Sequence, residues 1–322
     1  MPDDKREDKS FSRRRVPTEA YAAKEEFMQV LHDKDSFAYK PWQFQGSEVC
    51  ADTLKTTYDE ISIWGQHEAM LRPGFGIEEG VVHVPNLFSK VNGVPNDRED
   101  FMEKVNLLVR QKNTLFFRKL PMSRPGRIRK VGRVYRSVLD SRGRVDKERL
   151  LGSEFWPYRG LRLQTQEAIA QRIAAMCTVP DFWKHSSFRT RLSLGMLDKL
   201  RDYLLYVNRS DAKDQYYMKL STFQVLMTIE EKFCNLLQNF DFPMEIPKII
   251  IYNSGNDGEF TFADAVLLMF MNSMGVDVVI FNPEGTSDIE NFVKAGFFDS
   301  HTLENTGSRV PYRKGGFFRG VF

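Results

Sequence analysis

A chain of 322 residues is too long for one ordinary hydrophobic core and argues for two domains. With 42% hydrophobic and 28% charged residues it has the composition of a water-soluble globular protein, and its longest fully apolar run, Ala265–Met271, is far too short to span a bilayer. The charged amino end lacks an apolar signal region, and Cys50, Cys177 and Cys234 are widely spaced with no C-x-x-C; both point to the cytoplasm and to buried thiols rather than bridges or metal ligands.

Residues 1–38 read as an extension: a charged, apolar-poor start, then a helix over Thr18–His32. A small α/β part is expected over 39–120. Asp52–Arg72 has helical spacing, with Leu54, Tyr58, Ile61, Trp64 and Met70 on or near one stripe, and Pro73-Gly74 stops it. Gly80–Val84 reads as a strand and Leu87–Val91 as its continuation past Pro85. Asp97–Arg110 is a polar amphipathic helix and Thr114–Phe117 another strand. Lys90 and Asn92 fall in the first connection of this pattern, where a ligand-facing or merely solvated loop residue would sit.

Residues 121–150 read as a basic linker. Between Arg118 and Arg144 ten Lys/Arg face one acid, Asp140, a net +9 in a chain of net +3, so the remainder is acidic. Tyr135 is the one aromatic in that stretch, and no zinc-finger, RRM or helix-turn-helix signature accompanies it, which argues against nucleic acid as the partner. An anion-attracting loop and an exposed interdomain linker both fit. A helical connector is expected over 151–244, with helices near 161–176, 188–207 and 218–239. Trp183, His185 and Phe188 cluster in one of its connections.

Residues 245–303 carry the most information. Lys248–Tyr252 is a short β-branched run that predicts a buried strand. A loop from Asn253 to Glu259 follows, then Thr261-x-x-Asp264, a helix start. Phe262–Met274 is apolar on every side, so it must be a core helix, and Gly275 sits where a left-handed cap belongs. Val276–Phe281 predicts a second buried strand, and Ser287-x-x-Glu290 a second capping box opening a helix to Gly296. Strand, helix, strand, helix in under fifty residues implies parallel strands, with both loops leaving the carboxyl edge of one sheet. Asn253–Glu259 is thus expected beside Asn282–Ser287. The fold class is α/β: a C-terminal Rossmann-like parallel β-α-β half, a helical connector and the smaller N-terminal α/β part. Residues 304–322, rich in Gly, Arg and Phe, read as a flexible tail.

The P-loop, GxGxxG, HExxH and GxSxG signatures are absent, and the five histidines show no ligand pair at helical spacing. The candidate ligand-binding set is therefore the loop pair, Asn253, Gly255, Asp257, Gly258 and Glu259 with Asn282, Glu284, Gly285 and Asp288, together with Lys90. Glycines let backbone N–H groups approach a ligand, and a helix N-terminus follows. The loops themselves carry carboxylates and no lysine or arginine, which would repel a bare phosphate. Three readings stay open: a ligand rich in hydroxyls or amides, a divalent cation bridging carboxylates and phosphate, or acids that serve only the helix dipole. No residue is marked as catalytic.

Phe281–Phe292, FNPEGTSDIENF, resembles the FNP-x-G-x-x-DIEN stretch of the bacterial YceG-like family, which belongs to the "biosynthetic module" of Ter-type tellurite-resistance and stress operons. Leu54–Ile61 (LKTTYDEI), Arg72–Phe75 (RPGF), Val84–Val94 (VPNLFSKVNGV) and Pro247–Tyr252 (PKIIIY) are further matches, covering roughly residues 40 to 300. Asn282, Gly285, Asp288 and Asn291 match the motif, while Glu284, Thr286 and Ser287 depart from its usual fillings. The resemblance implies a cytoplasmic stress-response component, and it carries across no catalytic residue. The loop pair itself points to a nucleotide- or sugar-like metabolite as ligand and to a transferase-type role, whereas the basic segment and the Gly/Arg/Phe tail point to the alternative, a non-enzymatic assembly partner docking other Ter-operon proteins or the membrane face. Family members tend to be longer on the N-terminal side.

Overall fold

The computed structural model describes residues 48–79, 81–178, 181–184, 211–238, 244–255 and 258–314. The chain divides into two compact units, Met1–Gln43 and Phe44–Phe322, and every described residue lies in the second. The helices expected at Thr18–His32 and 188–207 fall outside the described residues, as do His185 and Phe188. Among the described residues no helix is long and apolar enough to cross a membrane.

The second unit opens with strand β1 (Glu48–Thr53), helix α1 (Tyr58–Trp64), a 3₁₀ turn at Ala69–Leu71, and strands β2 (Gly76–Glu78), β3 (Val81–Asn86) and β4 (Phe88–Asn92). Helix α2 (Arg98–Val109) and strand β5 (Thr114–Phe117) follow, then helices α3 (Val131–Ser137), α4 (Lys147–Leu151), α5 (Leu163–Met176), α6 (Asp211–Leu226) and α7 (Glu231–Gln238). The chain closes with β6 (Lys248–Tyr252), α8 (Phe262–Ser273), β7 (Asp277–Asn282), a 3₁₀ turn at Ile289–Asn291 and β8 (Asp299–Thr302).

Five strands form one parallel sheet in the order β5-β6-β7-β4-β8. The boundary expected at residue 120 therefore does not separate two α/β halves. β4 and β5, from the expected small part, flank the strands of the expected C-terminal half, with β4 between β7 and β8. Parallel strands cannot pair through hairpins, so sequence-distant segments become neighbours through crossovers. Lys90 and Asn92 accordingly lie in a strand and not in a loop. A smaller sheet, order β1-β3-β2, pairs β1 with β3 parallel and β2 with β3 antiparallel. Residues Glu48–Thr53, whose flank was expected to be helical, become a strand because β3 offers them a partner along its whole length.

Alternation along the large sheet divides two apolar layers. Ile249, Ile251, Val278, Ile280 and Phe88 face α8 and, beyond it, the helices from α3 to α7. Ile250, Tyr252, Val279, Phe281 and Val91 face α1 and α2. Helix α8 is buried almost all round because it sits between the sheet and those helices. Thr261 caps it: its hydroxyl accepts from Asp264 N, and Asp264 accepts in return from Thr261 N at 2.9 Å. Asp264 also accepts from Met122 N at 2.9 Å, fastening the segment after β5 to the helix start. Gly275 closes α8 at φ +93°.

The stretch expected as a basic linker is folded into the unit. Met122, Val134, Tyr135, Val138, Val145 and Leu150 are buried, while Arg124, Arg127, Arg129, Lys130, Arg133 and Arg136 stay exposed. The helix expected over 218–239 is two helices. At the break the Tyr158 hydroxyl donates to Leu226 O and accepts from Ile229 N, replacing helical hydrogen bonds with a tertiary one.

Candidate functional site

All five strands of the large sheet run in one direction, so the loops after β4, β6 and β7 leave one edge. From β4 the chain passes to α2 on one face; from β7 it passes to the turn bearing Ile289, which packs on the other. The crossovers diverge between β4 and β7, where open α/β sheets form their ligand crevice. That point lies one strand over from the β6–β7 gap.

Under this edge lies a closed polar network. Lys90, wholly buried in β4, places Nζ 2.6 Å from both carboxylate oxygens of Glu290, 2.9 Å from Asp288 Oδ1 and 2.9 Å from the Thr286 carbonyl. Asp288 Oδ2 accepts from Asn282 Nδ2 at 2.8 Å and from Asn253 Nδ2 at 3.3 Å. Asn282 also donates to Thr286 O at 2.8 Å and accepts from Gly285 N at 3.0 Å; Asn253 Oδ1 accepts from Gly255 N at 3.2 Å. Burial pushes the Asp288 carboxyl up against the pull of Lys90. Burial also pushes Glu290 up, but there the hydrogen bond and charge of Lys90 win and hold it below the usual range. An isolated buried ammonium would be untenable; two carboxylates and a carbonyl make this one stable.

The structure thus sorts the candidate residues. Lys90, Asn253, Asn282 and Asp288 face each other inside the network, spend their hydrogen bonds on one another and hold the two loops in place. Gly255, Glu284 and Gly285 form the rim. Gly255, at φ +77°, lies against Glu284 so closely that a Cβ there would fall 2.1 Å from Oε2. Glu284 Oε1 accepts from Arg309 Nε at 3.1 Å. Gly258 turns away from the rim: at φ +105° its missing Cβ would meet the Leu120 carbonyl at 2.1 Å, so this glycine serves packing on the segment that follows β5. Glu259 is exposed, and Asp257 lies outside the described residues.

Glu290, Thr286 and Arg309 belong to the site although sequence reasoning did not place them there. The capping box expected at Ser287-x-x-Glu290 does not form. Asp288 caps the 3₁₀ turn instead, and Glu290 turns inward to Lys90 and to Asp288 N at 3.1 Å. Residues 304–314 of the expected tail cross this edge. Asn305 pairs with Val94, Gly307 N donates to Glu284 O at 3.0 Å, and the Tyr252 hydroxyl donates to Val310 O at 2.8 Å. The cations missing from the two loops are thus supplied from β4 and from this segment. Among the described residues, no three metal-binding side chains converge at this edge.

A parallel sheet covered on both faces, with glycine-bearing loops at its carboxyl edge, defines an α/β protein of the kind that builds sites at strand ends. The chain belongs to the YceG domain family, whose model matches residues 55–316. It is 29% identical over 308 residues to "Uncharacterized protein YceG" of Bacillus subtilis (strain 168), a match covering 96% of this chain and 52% of that relative. The chain spans about half the length of the curated relative it matches. No solved structure matches it.

Proposed function

We propose that this chain binds a nucleotide- or sugar-like metabolite at the rim formed by the loops after β6 and β7, as a cytoplasmic stress-response protein of the tellurite-resistance type. The single observation behind this reading is the juxtaposition of Gly255 with Glu284 and Arg309 at a parallel sheet's carboxyl edge. A carboxylate there suits paired sugar hydroxyls, a guanidinium suits phosphate, and a glycine lets backbone approach either. The buried Lys90 network beneath would keep both loops in register before a ligand arrives, which lowers the ordering cost of binding. Group transfer from such a ligand is the reaction class the site would serve. Membership of the biosynthetic module rests on the motif resemblance alone.

Thermal-shift and calorimetric titration against nucleotides and nucleotide sugars, with and without Mg²⁺ or Mn²⁺, tests the reading. At least one ligand should bind, and Glu284→Ala or Arg309→Ala should weaken it while Lys112→Ala does not. Silence across the whole panel removes the proposal.

A second reading is favoured by the exposed basic surface from Arg124 to Arg136. In it the chain docks an acidic partner among the products of the same operon. Neutralising Arg127, Arg129 and Arg133 should then abolish co-purification while leaving metabolite binding intact.

A further inference from the structure

We propose that Cys50, Asp52 and His83 form a binding site for a zinc-class divalent transition metal on the smaller sheet. Cys50 and His83 are register partners across the parallel β1–β3 pair, and Asp52 lies two residues further along β1, on the same side. Val49, Val82 and Val84 take the opposite side and pack inward. The sheet's alternation therefore gathers a thiol, an imidazole and a carboxylate on its outer face.

Their donor atoms all lie within 4.8 Å of one another. His83 Nδ1 is 2.7 Å from Asp52 Oδ2, and the Cys50 thiol donates to Asp52 Oδ1 at 3.8 Å. A tetrahedral ion with bonds of about 2.0–2.3 Å holds its ligand atoms about 3.3–3.8 Å apart, so adjustments of about an ångström admit it. The site is open to ions: the side chains of His83 and Asp52 are 29% and 53% exposed. On the other side of His83 its neighbour on β2 is Gly76, where even a Cβ would meet nothing within 4 Å. Three protein ligands with solvent access leave a fourth position for water, the pattern of exchangeable or reactive zinc rather than of closed structural sites.

The donor set selects the metal. Sulfur and nitrogen favour Zn²⁺, Co²⁺ and their neighbours; Mg²⁺ and Ca²⁺ want oxygen and gain little here. A surface His–Asp pair would by itself be worth little, and nothing in that pairing calls for a thiol on the same face. The site is formed by β1 and β3 of the smaller sheet. It is separate from the rim of the large sheet, and neither proposal depends on the other.

Co²⁺ titration of the full chain, stripped with a chelator and kept under a phosphine reductant, decides the matter. A near-ultraviolet sulfur-to-cobalt charge-transfer band and visible tetrahedral d–d absorption should appear together and be displaced by Zn²⁺. Cys50→Ser should remove the charge-transfer band, and His83→Gln should weaken Zn²⁺ binding by at least about tenfold, the loss that even outer-shell substitutions cause. The buried-thiol variant Cys177→Ser should bind as the parent does. Cys50 and His83 are not core residues, Cys177 is one, and an unchanged far-ultraviolet circular dichroism spectrum verifies that all three variants fold. Absence of the charge-transfer band, or its survival in Cys50→Ser, overturns the proposal.

Discussion

Arg72 grips Asp277 through two parallel hydrogen bonds of 2.7 Å, with both side chains sealed from water. The same guanidinium donates to Pro85 O at 3.1 Å, and Asp277 accepts from Leu87 N at 2.9 Å. One ion pair thus ties the turn after α1, the end of β3, the start of β4 and the start of β7. Arg72→Met would strand a buried carboxylate with only Lys248, 3.5 Å away, to answer it. We expect a loss of about 3–5 kcal/mol in urea unfolding, and less than the sum of the single losses for Arg72→Met with Asp277→Asn. A loss under about 1 kcal/mol, the worth of a surface pair, would show that the pair is not sealed.

Lys90→Met should cost a similar amount, about 3–5 kcal/mol, because it leaves Asp288 and Glu290 facing each other without their cation. The damage should be local as well. Amide exchange in the segment 283–291 should accelerate more than in β6 or α8; uniform acceleration would mean that Lys90 serves the core and not the loop.

The two loop glycines should differ. Gly255→Ala meets the far end of a side chain, Glu284, which can rotate away, so its cost is the positive φ, about 1–2 kcal/mol. Gly258→Ala meets the backbone carbonyl of Leu120, which cannot yield, and should destabilise distinctly more. Equal unfolding midpoints for the two variants would contradict these contacts.

His301 sets a pH dependence. Burial depresses its imidazole below the ordinary 6.5 despite the nearby Asp299, and its Nε2 is sealed without an acceptor. The folded state therefore favours the neutral ring. Its contribution is complete above pH 6.5 and is lost as the pH falls from there through the depressed folded value. His301→Phe should flatten that limb of the stability profile, and a proton-NMR titration of the ring should give a midpoint below 6.5. A midpoint at or above that value reverses the sign.

The carboxy-terminal segment should be part of the fold. Tyr312 packs on Phe116 with ring centroids 4.7 Å apart, and its hydroxyl donates to Asn106 Oδ1 at 2.7 Å. Tyr312→Ala should cost about 1–3 kcal/mol through lost apolar contact and the lost hydrogen bond to Asn106, measured by chemical denaturation.

Much of the local structure was legible from residue pattern alone. Strands β6 and β7, the capped helix between them and its Gly275 stop follow from β-branching, a reciprocal cap and an apolar surface with no polar face, all features of adjacent residues. The loops after β6 and β7 were recognisable for the same reason. The helix expected after Ser287 was not formed, because a capping box read locally ignores a buried lysine that competes for the same glutamate. Cys50 and His83 gave no signal at helical or short-loop spacing, since their proximity is a cross-strand register that no linear motif encodes.

Strands β6 and β7, the Thr261 cap and the Gly275 stop rest on interactions between residues a few positions apart, so the sequence by itself determined them. The order of the large sheet, the placement of β4 between β7 and β8, the burial of Lys90 and the meeting of Cys50 with His83 rest on pairings between distant segments. Only the tertiary structure decides those, because parallel strands carry no local mark of their neighbour, and a buried charge is tolerable only where the fold delivers its partner.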